Sequence, residues 1–190
     1  MISTQPFADA TMAERGLAVI PCPGDDGKSP RGAIRRFHRW KRPPEPDRVP
    51  KMARQWGSAN IGIVTSPSGV TVVDVDGGEA LAEEMMARAG DTPLVTRTQS
   101  RGFQLCYQST GERNANLSYG LDVDIKGGAA GVVVVPPSFR CSTANPYVFE
   151  KGNWDDLARL PEARPCSLSS SQQSREIAAQ MVRRGDERHG

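Results

Sequence analysis

Val72-Val73-Asp74-Val75-Asp76-Gly77-Gly78 sets two acids one residue apart at the end of an apolar run. Side chains alternate along a β-strand, so Asp74 and Asp76 share a face, with Cβ atoms about 7 Å apart. Two carboxylates on one face repel unless a cation lies between them. A divalent metal ion is the usual remedy. The stretch therefore predicts a buried strand that delivers a carboxylate pair to one face of a sheet.

The chain around it predicts more strands than helices. "IGIV" at 61–64 and "VTVVDV" at 70–75 are strand patterns, joined by a hairpin turn at Ser66-Pro67-Ser68-Gly69. Residues 79–88 form a helix, with Leu81/Met85 and Ala82/Met86 at four-residue spacing. Further strands are expected at 17–21, 94–98, 103–108, 121–125, 131–136 and 147–149. A helix over 7–15 ends at Gly16. "KRPPEPDRVP" at 41–50 carries four prolines and is expected to be a loop. Most connections suit hairpins. The fold class is α+β, with mixed, largely antiparallel sheets and flanking helices.

Composition sets the limits. The 190 residues suffice for one sizeable domain plus a tail. Hydrophobic residues make up 37% and charged residues 24%, which excludes a disordered chain. No apolar run reaches the length of a membrane span, and the polar N-terminal segment lacks a signal-peptide core. A cytoplasmic location without membrane contact is expected. Cys22, Cys106, Cys141 and Cys166 are far apart and are expected to be free thiols. The composition changes near Pro165. A folded domain is expected over 1–165 and a linker-like tail over 166–190, with a short helix at 175–184 that would be unstable alone.

Net charge is only +2, but its distribution is uneven. Residues 28–42, "KSPRGAIRRFHRWKR", hold seven Lys/Arg and no acid. Phe37, His38 and Trp40 are interleaved with them. Such a mixture suits a phosphate backbone and exposed bases, with Arg35, Arg36 and Arg39 as DNA contacts. It equally suits a solvated helix whose Phe37 and Trp40 face the core.

Three stretches carry chemistry: Asp74-x-Asp76, the "TQSRGFQLCYQ" strand with Ser100, Arg101 and Gly102 at its head, and "DVDIKGGAAGVVVVPPS" with Asp122, Asp124 and Lys126. A third carboxylate on a neighbouring strand would complete a cage for one or two hard cations. Mg²⁺ takes one or two carboxylates and fills its other positions with water and substrate phosphates. Ser100, Arg101 and Lys126 suit triphosphate oxygens.

In this order the set resembles the bifunctional DNA primase/polymerase N-terminal (prim-pol) domain of the archaeo-eukaryotic primase superfamily, found on plasmids, phages and other mobile elements. The resemblance runs from about Gly16 to Phe149. "GLAVIPCPGDDGKSP" matches the family's opening, "NIGIVTSPSGVTVVDVDGG" its first acidic motif, "SRGFQ" its second motif and "DIKGGAAGVVVVPPS" its third. The resemblance implies an RRM-like catalytic core. It implies Mg²⁺ or Mn²⁺ on Asp74, Asp76 and Asp124, which are also the catalytic residues. Nucleotide contacts would come from Lys28, Ser100, Arg101, Gly102, Gln104 and Lys126. Implied partners are nucleoside triphosphates, a single-stranded DNA template or primer, and a helicase or other replication protein. The activity implied is nucleotidyl transfer to a 3′-hydroxyl.

One position departs from the family. Its second motif normally ends in a histidine, and here Gln104 stands in that place. An amide can donate a hydrogen bond to phosphate but carries no charge and shuttles no proton. A catalytically weakened member that binds nucleotide and DNA is one alternative. The other is a haloacid-dehalogenase-like phosphatase, whose Asp-x-Asp-Gly-Thr motif "DVDGG" approaches. That fold needs a parallel sheet, and Gly78 replaces the Thr.

Overall fold

The computed structural model describes residues 11–23, 28–30, 33–57, 59–116, 122–139 and 145–164. The expected tail with its short helix, Cys141 and Cys166 lie outside them. Among the described residues, no helix is long and apolar enough to cross a membrane.

Two sheets make up the fold. The smaller has the order β1-β2-β8, from Val19–Cys22, Asn60–Val64 and Val132–Val134. The larger has the order β6-β7-β3-β5-β4-β9. Its strands are Ala115–Asn116, Val123–Lys126, Val70–Val75, Phe103–Gln108, Val95–Arg97 and Val148–Lys151. All paired strands run antiparallel. The α+β expectation holds, and the parallel sheet that a haloacid-dehalogenase-like phosphatase needs is not formed by the described strands.

The expected hairpin between β2 and β3 is not formed. The two strands belong to different sheets. The connection at Ser66–Ser68 is a single 3-10 turn, closed by Gly69 at φ 67°. Thr65 N–H donates to Gly131 O, and Ser68 Oγ donates to Val64 O while accepting from Ala18 N–H. These bonds hold the connection to the small sheet while the chain leaves for the large one. Turn-forming residues mark a reversal but do not say which sheet comes next.

The proline-rich stretch also departs from expectation. α2 (Arg48–Trp56) begins inside it, with Pro50 at the third helical position. First-turn N–H groups have no partner within a helix, so proline costs little there. Val49 and Met52 bury against the small sheet's core. The N-terminal helix is described only as α1 (Thr11–Glu14), closed by Gly16 at φ 83°, as its glycine predicts.

The core follows from strand alternation. Val73, Val75, Leu105, Tyr107, Val123 and Ile125 face α3 (Glu79–Ala89), which buries Leu81, Ala82, Met85 and Ala89 against them. The opposite face carries Val70, Val72 and Cys106, packed with Ile61, Ile63 and Val133 of the small sheet. Ser138 links the chain after β8 to β2, its Oγ accepting from Ile61 N–H at 2.8 Å. Glu112 locks the turn after β5. It accepts hydrogen bonds from Thr71 Oγ1 at 2.6 Å, Thr110 Oγ1 at 2.6 Å and Thr110 N–H at 3.0 Å. Burial alone would raise its pKa, but the bonds from Thr110 and Thr71 outweigh it and hold the carboxyl at about 2. Cys22 and Cys106 are buried and stand outside any disulfide.

Candidate active site

Register builds the site. Asp74, on the central strand β3, pairs with Gln104 of β5 on one side and Asp124 of β7 on the other. Directly opposed residues in an antiparallel pair share a face, with Cβ atoms about 4.5–5.5 Å apart. The row extends to Asn116 on β6 and Thr96 on β4. Asp76 lies two residues beyond Asp74, and its N–H donates to Asp122 O at 2.7 Å, carrying the ladder past the strand end. Asp122 therefore contributes its backbone, while Asp124 is the acid in register with Asp74.

A cleft of about 260 Å³ opens over this row, between the large sheet and β8. Lys28, Asp74, Asp76, Ser100, Gln104, Asp124 and Lys126 all line it, although they come from four separate stretches of chain. Val133 closes it from the other side and also belongs to the core between the sheets. Sequence reasoning missed three further lining or flanking residues: Thr98, Tyr147 and Asn116. Thr98 stands just before the Ser100 turn and could have been noticed by its spacing. Asn116 lies on a two-residue strand that leaves no periodic signal.

The two central acids are in opposite electrostatic states. Asp74 has its pKa pushed up to about 6, first by burial and then by the charge of Asp76; Lys126 and Lys28 only partly offset this. Burial pushes Asp124 upward too, but its hydrogen bonds prevail and hold it below the ordinary carboxylate value. Lys126 Nζ donates to Asp124 Oδ2 at 2.5 Å, and Asn116 Nδ2 donates to Oδ1 at 2.6 Å.

The donor set fits a hard divalent cation in a limited sense. Among the described residues, no three Asp, Glu, His or Cys side chains converge as a ready-made ligand set. Asp124 is engaged by Lys126. Asp74 and Asp76 supply two carboxylates whose mutual repulsion a cation relieves, and Mg²⁺ commonly binds through one or two protein carboxylates.

Gln104 is only 4% exposed and lines the cleft. Among the described residues its amide has no hydrogen-bond partner. A ligand in the cleft would offer that amide a hydrogen-bond partner.

The second-motif turn is built around Asp76. Ser100 Oγ lies 3.5 Å from Asp76 Oδ1 and 3.2 Å from Thr98 Oγ1, which accepts from Gly102 N–H at 3.0 Å. A Cβ on Gly102 would come within 2.5 Å of Val75 O and 3.0 Å of Asp76 Oδ1, so only glycine lets this turn approach the acid. Arg101 adopts φ 66°, a left-handed conformation that costs a non-glycine residue roughly 1–2 kcal/mol. Arg101 and Gly102 do not line the cleft. Gly102 supports its floor, and Arg101 lines a neighbouring hollow.

The basic stretch forms a short 3-10 turn (Phe37–Arg39) rather than a longer helix. Phe37 and Trp40 pack against the core, and Arg35, Arg36 and Arg39 are exposed. A hollow of about 720 Å³ runs from Phe37 past Asn114 and Asn116 to Asp124 and Lys126. The basic turn thus adjoins the acidic cleft, which the sequence could not place.

The family described as bifunctional DNA primase/polymerase, N-terminal, matches residues 9–163, a span that holds every residue of the cleft and the basic turn. No curated protein matches the chain.

Proposed function

The chain belongs to the bifunctional DNA primase/polymerase N-terminal family, and from that premise we propose that it is a metal-dependent nucleotidyltransferase that makes or extends primers on a DNA template. The observation that carries this reading is the register that sets Gln104, Asp74 and Asp124 side by side on three adjacent strands. In the proposed reaction a 3′-hydroxyl attacks the α-phosphate of a nucleoside triphosphate, and pyrophosphate leaves.

Asp74 and Asp76, joined by Asp124, would hold Mg²⁺ or Mn²⁺. Such ions lower the pKa of an attacking hydroxyl and neutralise charge on a leaving pyrophosphate. The chain's own groups do the positioning. Lys28 and Lys126 stand beside the acids as counter-charges for the triphosphate. Ser100 Oγ and the Gln104 amide supply neutral donors. To reach phosphate, Lys126 exchanges its bond to Asp124 for one to substrate, which frees Asp124 for the cation. Exposed Arg35, Arg36 and Arg39 would hold the template backbone. A role in replicating a mobile element, beside a helicase in the cytoplasm, fits this activity.

Gln104 favours a second reading: a family member that binds nucleotide and DNA but turns over weakly. Extension of a labelled primer with Mg²⁺ or Mn²⁺ tests both. Extension lost on chelation and in Asp74→Asn supports the polymerase. Nucleotide and DNA binding without extension supports the second reading.

A further inference from the structure

We propose that the hollow beside the cleft, lined by Arg101, holds one phosphodiester of single-stranded DNA together with its neighbouring base. This rests on the polymerase reading and adds a strand contact to it. The hollow has a volume of about 600 Å³. The Thr98–Gly102 turn separates it from the acids, and Thr98 lines both spaces.

Its chemistry suits a single phosphate rather than a triphosphate. The charges along it are Arg97, Arg101 and Glu79, with Glu150 attached to Arg97 at 2.6 Å. Two cations against two carboxylates sum to zero. A triphosphate, with several negative charges, would meet Glu79 and Glu150 with only one uncommitted cation to set against them. Arg97 is committed to Glu150 and stacks over the Phe103 ring with 5.9 Å to its centroid. Arg101 is exposed, and among the described residues its guanidinium has no partner. One uncommitted guanidinium matches one phosphodiester.

The remaining lining mixes polar Thr98 and Asn145 with apolar Phe103, Pro146 and Val148. Pro146 and Val148 form an exposed apolar shelf over the buried Phe103, and Val148 is 39% exposed, one of two large apolar side chains so exposed among the described residues. A base beside a phosphate held by Arg101 would rest on Pro146 and Val148 by apolar contact, in place of the aromatic stacking usual for single-stranded nucleic acid. The left-handed backbone at Arg101 fits this assignment. A glycine would hold that conformation without strain, so the arginine side chain is kept there at a cost.

The strain makes the test decisive. In the full chain, Arg101→Gly should melt at the same or a higher temperature than the wild type. Its affinity for a short labelled oligodeoxythymidylate should fall about three- to tenfold, as expected for one exposed charge-assisted contact. The slope of log affinity against log salt should shrink by about 0.7, the value for one phosphate on a single strand. Affinity for a nucleoside triphosphate in Mg²⁺ should not change. Val148→Asp, which puts a carboxylate on the shelf, should also weaken oligonucleotide binding. Unchanged oligonucleotide affinity and salt slope in Arg101→Gly would overturn the proposal. So would a parallel loss of triphosphate affinity, which would return Arg101 to the triphosphate. The two readings fail separately. A wild type that binds the oligonucleotide through Arg101 but never extends a primer keeps the strand site and ends the polymerase reading. A wild type that extends primers, with Arg101→Gly binding DNA normally, does the reverse.

Discussion

Lys126 Nζ lies 2.5 Å from Asp124 Oδ2, so one acid of the cleft is ion-paired while Asp74, beside it in register, feels the same lysine only at longer range. The cleft is thus unevenly neutralised, and its acids should respond differently to metal, pH and mutation.

Asp74→Asn and Asp76→Asn should each abolish nucleotide incorporation while the protein stays folded. Either change removes a candidate metal ligand and relieves carboxylate repulsion. Near wild-type primer extension by either variant in Mg²⁺ and Mn²⁺ would refute the assignment.

Without divalent ions, pH should act through Asp74. Its folded pKa of about 6 lies above the ordinary 3.8. A raised carboxyl pKa favours the folded state below the unfolded pKa, and that benefit is lost as pH rises through the folded value. Melting temperature in chelator should therefore fall between about pH 4 and pH 6.5 through this group. Asp74→Asn should flatten the fall, and Mg²⁺ should restore stability to the wild type alone. A thermal melt series across pH, with and without Mg²⁺, measures all three.

Glu112 should show the opposite sign. Its carboxyl is held at about 2, below the ordinary 4.5, so its contribution is present above pH 4.5 and lost as pH falls toward 2. Glu112→Gln should cost about 1 kcal/mol at neutral pH, since the group is only partly buried. Denaturant unfolding at neutral and acidic pH tests this, with the difference between the proteins closing in acid.

Lys126→Ala should lower nucleoside triphosphate affinity about tenfold, the worth of one charge-assisted phosphate contact in a cleft. It should also destabilise the protein in chelator, where Asp124 and Asp74 lose their shared counter-charge, and less so in Mg²⁺. Unaltered triphosphate binding would confine Lys126 to a structural pairing.

The Gln104 series tests whether the unpartnered amide meets substrate. Gln104→His restores a chargeable donor and should tighten triphosphate binding by about 1 kcal/mol, or several-fold; Gln104→Ala should cost a similar amount. Flat affinity and extension rate across the three proteins would remove Gln104 from the site.

The acid row was legible because strand alternation is local: Asp74 and Asp76 needed only a period of two. Their partners on β5 and β7 were found through motif resemblance, and the register then placed Gln104 and Asp124 beside Asp74. Sheet membership was not legible. The turn at Ser66–Ser68 has hairpin residues, yet hydrogen bonds from Thr65 and Ser68 to distant segments send β3 into another sheet. Pro50 hid α2 because proline's effect depends on its position within the helix. The direction of Arg101 depends on one backbone angle, φ 66°, that no residue-type pattern around it encodes.

Val133 touches two spaces at once, the cleft over the acids and the apolar seam between the sheets. The gap available to a substrate is therefore set by the thickness of packed hydrocarbon, as a feeler gauge is set by its spacer. Shortening Val133 would change that thickness and leave a void in the seam. The same methyl groups bear on the width of the cleft and on the packing between the sheets, so a change at Val133 alters both together.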